Sequence, residues 1–246
     1  MRTELHPRGL EIVTVSLELS GPEASRPFIE AAAPDHPSLL DPTHLLDSLF
    51  GVVNIPNVIW IDEDGTIVRP PEPGWPADPA AIRRAAASAL QGDKDDPRVQ
   101  KLRRALEIVA GGQVRATYAD AIRDWVTKGA ASPYRLTPAE VVETSQPRSK
   151  AVSQAAAHFE LANHFWRSDQ RAAALRHFNA ANALQPENWT YKRQAWSLVG
   201  NERVGGDRGR FTQGPLPGEE ADWPFASDWA TDVGKLEPGQ YYPKTF

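Results

Sequence analysis

The sequence predicts an α/β unit, then an all-α unit, then an irregular, aromatic-rich tail. Three observations carry this. Over residues 1–92, short β-rich runs alternate with stretches that read as helices, the pattern of an α/β layer. Over 93–200, apolar residues recur at three- and four-residue spacing, as on amphipathic helices. Over 201–246 the chain is rich in Gly and Pro but carries Phe211, Trp223, Phe225, Trp229, Tyr241, Tyr242 and Phe246. Disordered segments are poor in aromatics, so this tail is expected to lie across the body or to meet a partner or second subunit.

Composition bounds the function classes. The 246 residues allow two modest domains, and a net charge of −5 with 24% charged residues gives no global attraction to nucleic acid or anionic membrane. No apolar run approaches the roughly 18 residues that span a bilayer. No signal-peptide core follows Met1, so a cytoplasmic location is expected. Cys is 0, which excludes disulfides, thiolate metal sites and cysteine nucleophiles within this chain.

In order, Met1 to Gly9 is short and polar, and Glu11 to Leu19 alternates as a strand. Gly21-Pro22-Glu23 opens a helix running to about Ala33, with Phe28, Ile29 and Ala32 on one face. Ser38-Leu39-Leu40 reads as a brief strand. Thr43 can cap a short helix through Phe50, stopped by Gly51. Val58-Ile59-Trp60-Ile61 fits a buried strand, Asp62 to Gly65 a turn, and Thr66-Ile67-Val68 the returning strand. Ile55-Pro56, directly before that strand, is a candidate cis peptide, although the residues alone also fit an ordinary βαβ unit with a trans proline turn. Arg69 to Pro79 reads as a proline-dense connector, and a helix is expected over about 80–90. Val99 to Ala110, and the stretch carrying Tyr118, Ile122, Trp125 and Val126, are amphipathic helices; Thr137-Pro138-Ala139-Glu140 is a capped N-terminus.

The run from Val52 to Gly65 (VVNIPNVIWIDEDG) resembles the second half of a thioredoxin-fold domain. The closest branch is the membrane-anchored thiol-disulfide oxidoreductases and the alkyl hydroperoxide reductase/thiol-specific antioxidant proteins. The resemblance implies a thioredoxin-like domain at 1–92 and a cis Pro56. It also implies that Ile55, Pro56 and Trp60 neighbour a redox site, where the residue before the proline offers its backbone to an extended substrate. The family's first strand and its Cys-x-x-Cys motif have no counterpart here, and Glu4 to Leu10 looks like the exit of the helix that follows that motif. The missing strand is central in the family's sheet. Without it Ile12–Leu17 and Val58–Ile61 each lose a neighbour, at about 1–3 kcal/mol per unpaired buried backbone group. Another segment fills the gap, a partner pairs there, or the native protein is longer. Some bacterial relatives encode selenocysteine by UGA, and a start assigned past such a codon would yield this N-terminus.

A second resemblance lies at 155–188. Leu161, Ala162, Phe165, Ala174, Phe178, Ala181 and Pro186 match tetratricopeptide-repeat spacing, with His158 in place of the first Trp. The small residues let two helices approach, and Phe165 and Phe178 are expected to fill the groove. Shifting the register by about 34 residues finds no second repeat. The pair is therefore expected to pack on the helices at 99–126 and on a further helix at 188–199. It is either a structural hairpin or a groove for a partner peptide.

No other chemistry is legible. The six histidines show no metal spacing, His158 and His164 standing six apart rather than four, and no Gly-rich phosphate loop matches. Asp62, Glu63 and Asp64 read as a solvated turn. No metal and no cofactor are expected. Two functions stand: the inactive C-terminal remainder of a thioredoxin-like thiol-disulfide or selenol oxidoreductase, and a non-catalytic thioredoxin-like/tetratricopeptide protein-binding module. The expected partners are a protein or peptide at the helical domain (93–200) or a second copy, with no nucleic acid and no membrane.

Overall fold

The computed structural model describes residues 1–74, 95–111, 116–203, 213–215, 218 and 220–242. The helix expected over 80–90, the connector beyond 74, and Phe211 and Phe246 lie outside the described residues.

The chain begins with α1 (Arg2–Leu5), which continues as a 3-10 turn to Gly9 and buries Leu5 completely. β1 (Thr14–Leu17) pairs in parallel with β2 (Ser38–Asp41), Thr14 opposite Ser38 and Leu17 opposite Asp41. β1 is shorter than the alternation of Glu11 to Leu19 suggests. α2 (Pro22–Ala32) makes the crossover: Pro22 sits in its first turn, where an N–H has no helical partner, and Ala33 closes it in the left-handed region at φ 42°. α3 (Leu45–Phe50) does not use Thr43 as its cap. Thr43 instead donates to the Asp41 carboxylate, which also accepts the Leu46 amide at 2.7 Å, and His44 precedes the helix at φ 57°. Asp41 sits at the strand end, close enough to take over the capping role.

β3 (Asn57–Ile61) and β4 (Ile67–Pro73) form an antiparallel hairpin. Asp62 builds its turn: the carboxylate accepts the amides of Asp64 and Thr66 and pairs with Arg135. The Thr66 amide holds that carboxyl below its usual range. The segment expected to be a connector from Arg69 is strand as far as Pro73. Proline cannot donate to a ladder, so it is confined to edge strands, strand starts or bulges, and among the described residues β4 pairs with β3 alone. Gly74 ends it where a Cβ would sit 2.4 Å from Val58 Cγ2, so only glycine fits.

Among the described residues the two strand pairs do not join into one sheet. A helix reaches the end of β1 and the segment before β3. In α9 (Trp189–Arg203) the Gln194 amide donates to the Leu17 carbonyl at 3.0 Å and accepts from the Leu19 N–H at 3.3 Å. The Trp189 amide donates to the Val53 carbonyl at 2.7 Å.

The remaining helices are α4 (Pro97–Gly111), α5 (Ala116–Lys128), α6 (Pro138–Thr144), α7 (Lys150–Arg167), α8 (Arg171–Leu184) and α10 (Trp229–Val233). α6 opens with the expected capping box, the Thr137 hydroxyl taking the Glu140 amide and Glu140 returning to the Thr137 amide. Two apolar clusters result. One joins Leu5, Trp60, Val68, Tyr118, Ala121 and Ile122. The other joins α4, α7, α8, α9 and the tail around Phe159, Phe178, Trp196 and Tyr241. The helix at 116–128 therefore packs on the hairpin, not on the repeat pair as expected; Tyr118 supplies the hydroxyl that Trp60 needs. The architecture is mixed α/β and helix-rich. Among the described residues no helix is long and apolar enough to cross a membrane.

Candidate functional site

The segment Val53-Asn54-Ile55-Pro56 precedes β3 and meets both α9 and the tail. Its Ile55–Pro56 bond is cis, as the resemblance implies. Asn54 is buried; its side-chain amide donates to the Tyr241 carbonyl at 2.8 Å, and its Oδ1 accepts the Ile55 amide at 2.9 Å. The Tyr242 hydroxyl donates to the Ile55 carbonyl at 2.8 Å. Trp229 Nε1 reaches the Tyr241 hydroxyl at 3.0 Å, and the Tyr241 and Trp189 rings pack edge to face. The tail therefore covers the pre-proline segment, with both tyrosines buried.

Trp60 points elsewhere. It is 3% exposed, donates through Nε1 to Tyr118 Oη at 2.8 Å, stacks on Trp125 and carries the Arg69 guanidinium over its ring at 5.5 Å. Arg69 is in turn bidentate to Glu72, both buried, so the charges are paired where water is excluded. Burial pushes the Tyr118 hydroxyl up.

A second buried polar group stands at the start of α3. His44 Nδ1 and the Asp47 carboxylate are 2.7 Å apart, both side chains within 1% of full burial. The His44 ring meets Phe159 edge-on at 5.1 Å, and Phe159 stacks on Tyr191 at 4.0 Å. Burial pushes the Asp47 carboxyl above its usual range, with the His44 hydrogen bond opposing. Burial likewise pushes Tyr191 up to about 12.

In the repeat pair, Ala162, Ala174, Phe178 and Ala181 are fully buried between α7 and α8. Leu161 is 44% exposed, Phe165 is half-buried and Pro186 is exposed. Phe159, not Phe165, fills the groove beside Phe178 at 5.8 Å between centroids. Phe165 packs at the edge of the cluster and stacks against His177.

Neither a protein-family model, nor a curated protein, nor a solved structure matches the chain. Sequence reasoning named Ile55, Pro56 and Trp60 but passed over Asn54, His44 and Asp47. The adjacent Tyr241-Tyr242 in a proline- and glycine-rich tail was the one readable signal of the covering strap.

Proposed function

We propose that this chain is the substrate-positioning remainder of a thioredoxin-like thiol-disulfide or selenol oxidoreductase, inactive without the redox motif because it carries no cysteine. The observation that carries this reading is the division of the strands into a parallel pair, β1–β2, and an antiparallel pair, β3–β4. Such a division is what a thioredoxin-like sheet leaves when its central strand, the one that leads into the motif, is taken away. On this reading the Ile55 carbonyl is the main-chain group an extended substrate engages, and Tyr242 occupies it in the substrate's absence.

The test is the intact mass and selenium content of the native protein from its own source. A mass several kilodaltons above 27.1 kDa, with an added cysteine motif or about one selenium per chain, is expected. A mass equal to 27.1 kDa overturns the reading. The pure chain should not reduce insulin disulfides.

The alternative is a non-catalytic binding module. It is favoured by Leu161, 44% exposed on α7 one turn before half-buried Phe165. The 27.1 kDa outcome would leave this reading standing.

A further inference from the structure

Two imidazoles meet across the helical hairpin. His158 on α7 and His177 on α8 are 19 positions apart in sequence, yet their Nδ1 atoms lie 2.8 Å from one another. The ring centroids are 5.0 Å apart, and Phe165 stacks on the His177 ring at 5.4 Å with 21° between planes. Both histidines are half-buried, so solvent reaches the pair. Their spacing is set by the helix contact beneath them, where Ala155, Ala162, Ala174, Phe178 and Ala181 are all fully buried. The two nitrogens are therefore held by core packing rather than by a loop.

A neutral imidazole has one N–H and one lone pair. In the absence of metal, one Nδ1 donates to the other. If each ring instead carries its proton on Nε2, both Nδ1 lone pairs are free to ligate a shared ion. Metal–imidazole bonds of about 2.0–2.1 Å at a right angle put the two nitrogens about 2.9 Å apart, whereas a tetrahedral angle puts them about 3.4 Å apart. The 2.8 Å between the nitrogens is that of their hydrogen bond, and it lies nearer the right-angle spacing than the tetrahedral one, so a right-angle site needs the smaller rearrangement. That geometry is preferred by copper(II) and nickel(II), and copper(II) binds nitrogen ligands more tightly of the two.

We propose that His158 and His177 form a two-imidazole site for a divalent late transition metal, copper(II) before nickel(II), with both Nδ1 atoms as ligands. Among the described residues no group of three or more His, Cys, Asp or Glu could hold a metal, so water takes the other coordination positions. Binding needs no net proton release from the neutral pair, only transfer of the shared proton to Nε2. The site was invisible in the sequence because its two ligands come from different helices, and nothing marks a 19-residue separation as a chelate.

The test titrates the full chain with copper(II) and with nickel(II) by calorimetry, alongside His158→Gln, His177→Gln and, as a control, His164→Gln. One copper(II) per chain is expected, with nickel(II) weaker. Affinity should fall at least tenfold in each of the first two variants and hold in the control. Metal should also raise the melting temperature of the unsubstituted chain, because its ligands tie two helices together. Equal affinity in His158→Gln or His177→Gln overturns the proposal, as does failure of the chain to bind. Should either variant lose its helical circular dichroism, pulsed electron paramagnetic resonance of the copper-loaded unsubstituted chain decides. Two imidazole couplings support the site, and one or none overturns it.

Discussion

The hydroxyl of Tyr242 donates to the main-chain carbonyl of Ile55 at 2.8 Å, closing a separation of 187 residues. One position earlier on each side the roles reverse: the Asn54 side chain donates to the Tyr241 main chain at 2.8 Å. The tail and the pre-proline segment thus bind each other reciprocally, side chain to backbone. That explains how the described part of the tail, with little regular helix beyond α10, is nonetheless packed.

Tyr242→Phe removes one of these bonds and keeps the ring. A loss of about 1 kcal/mol is expected. Asn54→Ala should cost more, about 1–3 kcal/mol, because the Tyr241 carbonyl then stays buried without its donor. Urea unfolding measures both, and limited proteolysis should place the new cleavage sites within 223–242. Unchanged cleavage there would mean the strap is held by its aromatic packing alone.

Trp60 and Tyr118 make a similar claim inside the hairpin cluster. Tyr118→Phe leaves the Trp60 indole N–H buried and unpaired, at about 1–3 kcal/mol. The reverse change, Trp60→Phe, removes the indole donor to the Tyr118 hydroxyl and also loses the stack on Trp125. In a double-mutant cycle the two substitutions should cost less together than the sum of each alone. Additive costs would sink the pairing.

Asp47 gives the stability a pH dependence whose sign is fixed. Burial raises its folded-state pKa above the ordinary 3.8, so the folded protein holds that proton more tightly than the unfolded chain. Its stabilising share is fully present below 3.8 and is lost as pH rises through the raised folded value. Asp47→Asn cannot ionise and removes that loss, about 1.4 kcal/mol for each unit the carboxyl is raised. Unfolding free energies of both proteins at several pH values from acid to neutral should therefore diverge, the wild type losing more as pH rises. A difference flat in pH contradicts the assignment. Asp47→Ala at neutral pH should destabilise by about 1–3 kcal/mol, since the buried His44 Nδ1 loses its partner.

What was legible in the sequence follows from range. The Thr137–Glu140 capping box, the Asp62 turn and the small-residue seam of Ala162, Ala174 and Ala181 are local patterns, and each forms. Misplaced features were decided by distant neighbours. Thr43 is a fair cap residue, but Asp41 takes the Leu46 amide that a Thr43 cap would accept. The prolines after Arg69 read as a connector because the sequence does not say that β4 is an outer strand. α5 has an apolar face that suits either cluster; only the partner for the Trp60 indole decides which. Asn54, His44 and the His158–His177 pair carry no local signal at all, since each is defined by a contact to another element.

The repeat pair separates local pattern from packing most sharply. Tetratricopeptide spacing points to Phe165 as the groove-filling aromatic, yet Phe159 is 2% exposed and Phe165 is only half-buried. Phe159 touches both His44 and Tyr191, so it ties the repeat pair to α3 and α9 as well as to Phe178. Phe159→Ala should therefore cost about 3–5 kcal/mol, the range for emptying an aromatic site in a core. Phe165→Ala should cost markedly less and leave the unfolding transition cooperative. Thermal and urea unfolding of the two variants decide between the assignments. If Phe165→Ala proves the more damaging, the repeat register governs the packing, and Phe159 is not the residue that ties the repeat pair to α3 and α9.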